Sequence, residues 1–268
     1  MSPSEDPRPE RAREVLAMQG VRLTLGPGGT VEIDLALHAG ELALVVSDDP
    51  PATGPLIDAL CGLARPEAGR IRVLGRPWDG LGGDVANALR GRIATIATDP
   101  VFPSNMGVGD SAVMGPLYHS RRPEPDVLRE AARLARSFGL PGLPLARPGE
   151  LGRDARIRVA CVRALLGAPD LLVLDETVDR LPEPLEGPVI NAVRGVCARG
   201  GAVLWLTGEA WRRADTRFPA SARLQLRNGR LDAGSDTAAP GATPPGAPSN
   251  TAQAGQHRTQ AQGDEEYR

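Results

Sequence analysis

Short apolar runs alternate with helical patterns over residues 16–232, and four of these runs have the character of buried strands. They are residues 41–47 (ELALVVS), 92–98 (RIATIAT), 170–175 (DLLVLD) and 202–207 (AVLWLT). Continuous apolar strands separated by helices are typical of a mainly parallel sheet in an α/β fold, with the strands in its buried centre. Ligands of such sheets collect beyond the carboxyl ends of the strands, which places a candidate site at that edge. The residues at those ends are Ser47, Thr98, Asp175 and Thr207.

Two segments depart from this alternation. Residues 21–37 alternate in polarity and turn at Pro27 and the glycines that follow it, which predicts an antiparallel hairpin at the margin of the sheet. Residues 127–140 and 156–168 have helical periodicity, and Gly139 is placed to end the first of these two helices. We therefore expect a helical insertion at about 105–165.

The two ends of the chain differ from this pattern. Residues 1–15 are polar, and residues 233–268 are rich in Ala, Pro, Gly, Gln and Thr with almost no side chains to bury. Such composition does not offset the entropy lost on ordering, so both segments are predicted to be disordered. The chain of 268 residues is then one folded domain, 16–232, with two tails.

Composition excludes several classes of function. The net charge is −2 and no basic stripe is present, so nucleic-acid binding is not expected. No apolar run approaches the roughly 18 residues of a membrane span, and the N-terminus has no signal-peptide core. Cys61, Cys161 and Cys197 lie in apolar stretches without metal-ligand spacing, so no metal site is expected. These features favour a cytoplasmic protein that reaches a membrane only through a partner.

The chain contains no lysine, so all 31 of its basic residues are arginine. A GC-rich genome is sufficient to explain this bias. Whatever its origin, any chemistry that requires a primary amine on a side chain is excluded.

Residues 56–78 (LIDALCGLARPEAGRIRVLGRPW) and 163–176 (RALLGAPDLLVLDE) resemble, in this order and spacing, the ATP-binding subunit of an ABC transporter. The resemblance covers about residues 16–232 and implies a P-loop NTPase-like ABC ATPase fold. Residues 110–140 are most similar to the insert of the Mce/Mla-type lipid transporters. The resemblance therefore implies a membrane permease as partner.

The phosphate-binding loop of that family is degenerate in this chain. A working loop needs glycines whose N–H groups surround phosphate, a lysine, and a hydroxyl residue that binds magnesium. Proline has no N–H to donate, and aspartate repels phosphate. Either of two causes would explain this change. The loop was selected against phosphate, or it drifted after ATP binding became unnecessary. The residues at the loop positions are Ser47, Asp48, Asp49, Pro50, Pro51, Ala52, Thr53 (in place of the lysine), Gly54 and Pro55.

Other parts of the family's ATP site are also replaced. Leu25 stands where an aromatic residue stacks on adenine, Thr98 where the Q-loop glutamine stands, and Gly208 where the switch histidine stands. The signature LSGGQ is replaced by LGRDA, which comprises Leu151, Gly152, Arg153, Asp154 and Ala155.

The Walker B pair, Asp175 and Glu176, is retained. In the family these residues are the magnesium-linked carboxylate and the general base. Without a bound phosphate to position them, we expect them to have a structural role here.

These replacements predict a pseudo-ATPase that takes no cofactor and that contributes structure or regulation to a permease. In the family the segment 99–140 contacts the permease. One alternative is an ATP-hydrolysing subunit that binds Mg-ATP and works with an intact paralogue. As partners, the resemblance also allows a second copy of the chain in a homodimer, or an ABC ATPase in a heterodimer. Another alternative is a scaffold protein. It would bind a different protein through the surface by which the family's ATP-binding subunits dimerise. The predicted permease-interface residues are Phe102, Met106, Tyr118 and His119.

Overall fold

The computed structural model describes residues 13–25, 29–47, 53–97, 99–175, 183–208 and 220–233. Within these ranges ten strands form one sheet in the order β5-β4-β1-β2-β10-β9-β3-β8-β7-β6. The strands are β1 (Glu14–Thr24), β2 (Thr30–His38), β3 (Leu42–Ser47), β4 (Ala68–Val73), β5 (Arg76–Pro77), β6 (Ile93–Ala97), β7 (Leu171–Asp175), β8 (Ala202–Thr207), β9 (Ala222–Arg227) and β10 (Arg230–Ala233). The helices are α1 (Gly54–Leu60), α2 (Gly83–Arg90), α3 (Val108–His119), α4 (Glu124–Ser137), α5 (Arg153–Leu166) and α6 (Glu183–Ala198), with a 3₁₀ turn at Pro148–Glu150.

Strands β3, β7 and β8 form the buried centre of the sheet. Every residue of β3 and β8 is buried, as are the first four residues of β7. The three strands are parallel to one another and to β6 and β9. Side chains from both faces of these strands enter two separate cores, as expected for a sheet covered by helices on each side. The predicted α/β architecture with a mainly parallel centre is confirmed.

The prediction that residues 92–98 form a central strand is wrong. Strand β6 lies at the end of the described sheet and pairs only with β7 among the described strands. Four of its five residues are only half-buried. Ile96 alone is fully buried, because helices of the insertion cover one face of the strand while its outer edge remains open.

The predicted antiparallel hairpin is present as β1 and β2, which pair over their whole length. Gly20 lies in a bulge of β1, and Gly69 of β4 packs against it so closely that a Cβ on Gly69 would lie 2.2 Å from the Gly20 oxygen. The predicted disorder of residues 1–15 is wrong at its last positions. Strand β1 begins at Glu14, because Glu14 pairs with β2 and the carbonyl of Val15 accepts a hydrogen bond from Leu74. The tail after Ala233 lies outside the described residues.

Helices α3, α4 and α5 form the predicted insertion between β6 and β7. In α4, Val127, Ala131 and Ala135 are fully buried one turn apart, and Phe138 follows the helix end in the same core. This spacing gives α4 one apolar face for α3 and α5. Within the described ranges, no helix combines the length and the apolar character that a membrane span requires.

Asp170 connects three parts of the fold just before β7. Its carboxylate accepts hydrogen bonds from Arg13, at 2.8 Å, and from Arg92. Its backbone N–H donates to the carbonyl of Arg92 at 2.9 Å. Asp170 thereby fixes the start of β1 and the start of β6 to the buried strand β7.

Candidate functional site

The carboxyl ends of β3, β7 and β8 meet at one edge of the sheet, because these strands are parallel neighbours. Ser47 and Thr207 are buried at this edge, and Asp175 is half-buried beside them. The predicted convergence of these three residues is confirmed. Thr98, the fourth predicted member, lies outside the described residues.

Thr53, at the predicted lysine position, lies at this edge. It directly precedes α1 and is close enough to Asp175 to lower the pKa of that carboxyl through hydrogen bonding. Helix α1 begins at Gly54, and Pro55 in its first turn has no N–H to offer to a ligand. The remaining loop residues, 48–52, lie outside the described residues.

The surroundings of Asp175 work against its charged form. Burial raises the pKa of Asp175, and the hydrogen bond from Thr53 offsets that rise only in part. Glu176 lies outside the described residues, so the structural role expected for the pair remains a prediction.

A small apolar cavity of about 40 Å³ lies beside this edge. Leu25 lines it together with Ser47 and Thr53, and most of the other lining side chains are aliphatic. Leu25 is 1% exposed, so it packs in the core and presents no surface to an aromatic base. The position of the family's adenine-stacking residue is therefore part of the interior in this chain.

The segment that replaces the signature motif leads into α5. Leu151 and Gly152 precede the helix, and Arg153 and Asp154 form its exposed first turn. Asp154 is bound at 3.0 Å by Arg158 one turn later. The helix start therefore presents charged side chains at positions where the family brings the backbone close to the partner's nucleotide. Gly208, at the switch position, is exposed directly after β8.

A groove of about 840 Å³ lies between α2, the start of β6 and the ends of α3 and α5. Tyr118 and His119 form part of its wall, and the ring of His119 packs over Gly91 on the opposite side. Arg163 of α5 also lines the groove; its guanidinium lies 4.5 Å from the ring centre of Phe102 and donates to the carbonyl of Val101 at 2.9 Å. This groove was not predicted from the sequence, because its walls come from four distant segments.

The predicted interface residues differ in their accessibility. Tyr118 is 74% exposed and His119 is exposed, so both are available to a partner, while Met106 is half-buried. The prediction that Phe102 is an exposed interface residue is wrong, because Phe102 is 7% exposed and its ring is covered by the guanidinium of Arg163. The neighbouring Val101, 81% exposed, presents the apolar surface at this point.

The comparisons with known proteins agree with this architecture. A sequence model of the ABC transporter family matches residues 33–179. The thiamine import ATP-binding protein ThiQ of Cereibacter sphaeroides is 32% identical over 81% of this chain and 90% of its own length. The lipoprotein-releasing system ATP-binding protein LolD of Chromohalobacter salexigens is 26% identical over 75% of this chain and 82% of its own length.

The solved structure of an ATP-binding subunit of an ABC transporter superposes with a TM-score of 0.67 over 82% of this chain and 88% of that one. Its sequence identity is 20%, so this likeness establishes the fold alone. The family model and the similarity to ThiQ establish more than the fold. The chain belongs to the ABC transporter family, and its fold is that of the family's ATP-binding domain.

Proposed function

We propose that this chain is an ATP-binding-type ABC subunit that neither binds nor hydrolyses ATP and that serves a membrane permease as a structural or regulatory partner. Through that permease it lies at the cytoplasmic face of the membrane. The similarity of residues 110–140 to the insert of Mce/Mla-type transporters favours lipid as the transported substrate.

One observation carries the proposal: the neutral residue Thr53 stands at the predicted lysine position, directly before α1 and beside Asp175. A triphosphate site needs a cation at that position, and Thr53 does not supply one. Because the chain contains no lysine, no shift of register restores the cation. The site is therefore not suited to Mg-ATP, and no hydrolytic step passes through it.

The charged start of α5 indicates that this chain also does not complete an ATP site on a partner subunit. In a working dimer the signature segment approaches the partner's nucleotide with small residues and backbone N–H groups. Here Arg153 and Asp154 place exposed charged side chains at that surface. The open groove beside Tyr118 and His119, by contrast, offers an accessible surface for a permease segment.

Calorimetric titration of Mg-ATP into the full chain tests the proposal. We expect no saturable binding up to a concentration of about 1 mM, which corresponds to a binding free energy weaker than about −4 kcal/mol. The Glu176→Gln variant is titrated alongside, because it removes the general-base position and would retain any nucleotide that is bound but slowly hydrolysed. An intact ABC ATPase serves as the positive control. Micromolar binding to either form of this chain would overturn the proposal.

A further inference from the structure

A second recess, the Trp78 cleft, lies at the end of α1 and has a volume of about 200 Å³. Its walls are the residues after α1, the start of β4, the segment after β5 and helix α2. The degenerate phosphate-binding loop precedes α1, and this seven-residue helix is about 10 Å long, so the two places are separate. Trp78 forms an aromatic wall of the cleft, and the charged lining residues are Arg65, Arg70, Asp79 and Arg90.

The aromatic wall of the Trp78 cleft is held by close contacts. Gly62 has a left-handed backbone, with φ of +65°, and a Cβ at this position would lie 2.3 Å from the Trp78 ring. Only a glycine therefore lets the indole lie directly against the backbone that follows α1. The guanidinium of Arg90 lies 5.5 Å from the centre of the same ring. These contacts fix the wall before any ligand enters, which lowers the entropy cost of binding.

Arg90 is held at the cleft by three hydrogen bonds to neutral groups. It donates to the carbonyls of Cys61 and Gly62 at 2.9 and 3.1 Å, and to the side-chain oxygen of Asn87 at 2.9 Å. A guanidinium has five N–H groups, so two of them remain for a ligand. Among the described residues, no carboxylate lies within ion-pair distance of Arg90. An anion can therefore pair with this guanidinium without displacing an internal partner.

The other charged residues of the cleft are exposed. Arg65 and Asp79 lie 4.0 Å apart, and their side chains are 89% and 72% exposed. A pair this long and this accessible to water contributes little, so Arg65 remains available to a ligand. Arg70, on β4, is exposed and has no ion pair within the described ranges. Three arginines against one aspartate leave the cleft with two positive charges.

We infer that the Trp78 cleft binds the phosphate group of a small phosphate monoester. Such a group carries a charge of about −2 and three acceptor oxygens, so it matches the two positive charges and pairs with more than one arginine. A single carboxylate would leave one of these charges without a counter-charge. The volume exceeds the roughly 150 Å³ that holds benzene, so a ligand of about ten non-hydrogen atoms fits. This inference goes beyond the proposed function and does not depend on it.

Calorimetric titration of glycerol 3-phosphate into the full chain, in a phosphate-free buffer, tests the inference. We expect saturable binding with a Kd below about 1 mM, and no binding of glycerol, which has the same carbon skeleton without the phosphate. Tryptophan fluorescence locates the bound ligand. It should change over the same concentration range as the heat, and Trp78→Phe should remove that change because Trp78 lines the cleft.

Two exposed side chains should change the affinity in opposite directions. Arg70→Gln should bind glycerol 3-phosphate about fivefold more weakly, because an ion pair with the phosphate is lost. Asp79→Asn should bind it about threefold more tightly, because the change removes a repelling carboxylate and frees Arg65. Both side chains are exposed, so neither change should unfold the chain. Arg136→Gln, an exposed arginine of α4 outside the cleft, is the matched control and should bind as the unmodified chain does.

Three results would overturn the inference: no saturable binding up to about 10 mM, equal binding of glycerol, or an affinity that neither Arg70→Gln nor Asp79→Asn changes. Vesicles that contain phosphatidic acid distinguish a lipid headgroup from a free ester. Sedimentation of the chain with these vesicles that glycerol 3-phosphate abolishes would assign the phosphate to a lipid; binding of glycerol 3-phosphate without such sedimentation would assign it to a free ester. Mg-ATP binding that persists in saturating glycerol 3-phosphate would count against the proposed function and not against this inference.

Discussion

Replacing Asp170 by asparagine is expected to destabilise the protein at neutral pH. The Asp170 side chain is 10% exposed, whereas those of Arg13 and Arg92 are 53% and 54% exposed. The two arginines regain water when the charge is removed, so each lost charge-assisted hydrogen bond costs about 1 kcal/mol rather than the larger value of a buried pair. Asparagine retains one acceptor, which leaves a net loss of about 1 to 2 kcal/mol. For a domain of this size that corresponds to a Tm lower by about 4 °C.

The pH dependence of this loss has a defined sign. Burial alone would raise the pKa of Asp170, but the hydrogen bonds from Arg92 and Arg13 outweigh it and hold the pKa below its ordinary value. A lowered folded-state pKa means that the stabilisation is fully present above the unfolded pKa of about 3.9 and is lost as the pH falls through the folded value. The difference between the unmodified protein and Asp170→Asn should therefore shrink as the solution becomes acidic.

Urea unfolding at pH 7 and at a pH of about 3 measures both effects. Asp175→Asn is the matched control: it makes the same change at the end of β7, where burial raises the pKa, so it should be neutral or stabilising at pH 7. Equal stability of Asp170→Asn and the unmodified chain at pH 7 would refute the reasoning. A deficit that persists unchanged in acid would also refute it, because the loss would then come from packing and not from charge.

Three further substitutions, one of them a control, test the packing of the sheet. Trp205→Ala should lower the free energy of unfolding by about 3 to 5 kcal/mol in urea titrations, because Trp205 is fully buried on a central strand; a loss under about 1 kcal/mol would contradict that placement. Gly69→Ala should be more destabilising than Gly75→Ala in thermal unfolding. Both glycines have a left-handed backbone, with φ of +80° and +74°, but a Cβ at Gly69 collides with the carbonyl of Gly20, whereas at Gly75 it meets open space. Equal effects of the two changes would show that the collision is relieved without cost.

The central strands were predictable from sequence because burial on both faces produces continuous apolar runs, as in β3 and β8. The same reasoning failed for β6. Its run 92–98 resembles a central strand, but which strand lies at an edge depends on the order of crossovers in the sheet, and that order leaves no local pattern. Helix α4 was predictable because Val127 and Ala131 recur at helical spacing along one face.

Some features of the candidate site were also predictable from the sequence, and others were not. Parallel strands have to bring Ser47, Asp175 and Thr207 to one edge, so their convergence followed from the pattern. The proximity of Thr53 to Asp175 was not predicted, because it depends on how the start of α1 packs against the end of β7. The position of the Arg163 guanidinium over the ring of Phe102 could not be predicted from the sequence, since it depends on how α5 packs against the segment after β6.

The junction between the two parts of the sheet has a mechanical consequence. Among the described residues, β10 meets β2 at a single register pair, Arg230 with Glu32, where the N–H of Glu32 donates to the Gly229 carbonyl at 2.7 Å. The long β1–β2 ladder on one side and the parallel strands on the other are each far more extensively bonded. Bending the sheet along this line would therefore break little backbone pairing, while each half would keep its own ladder.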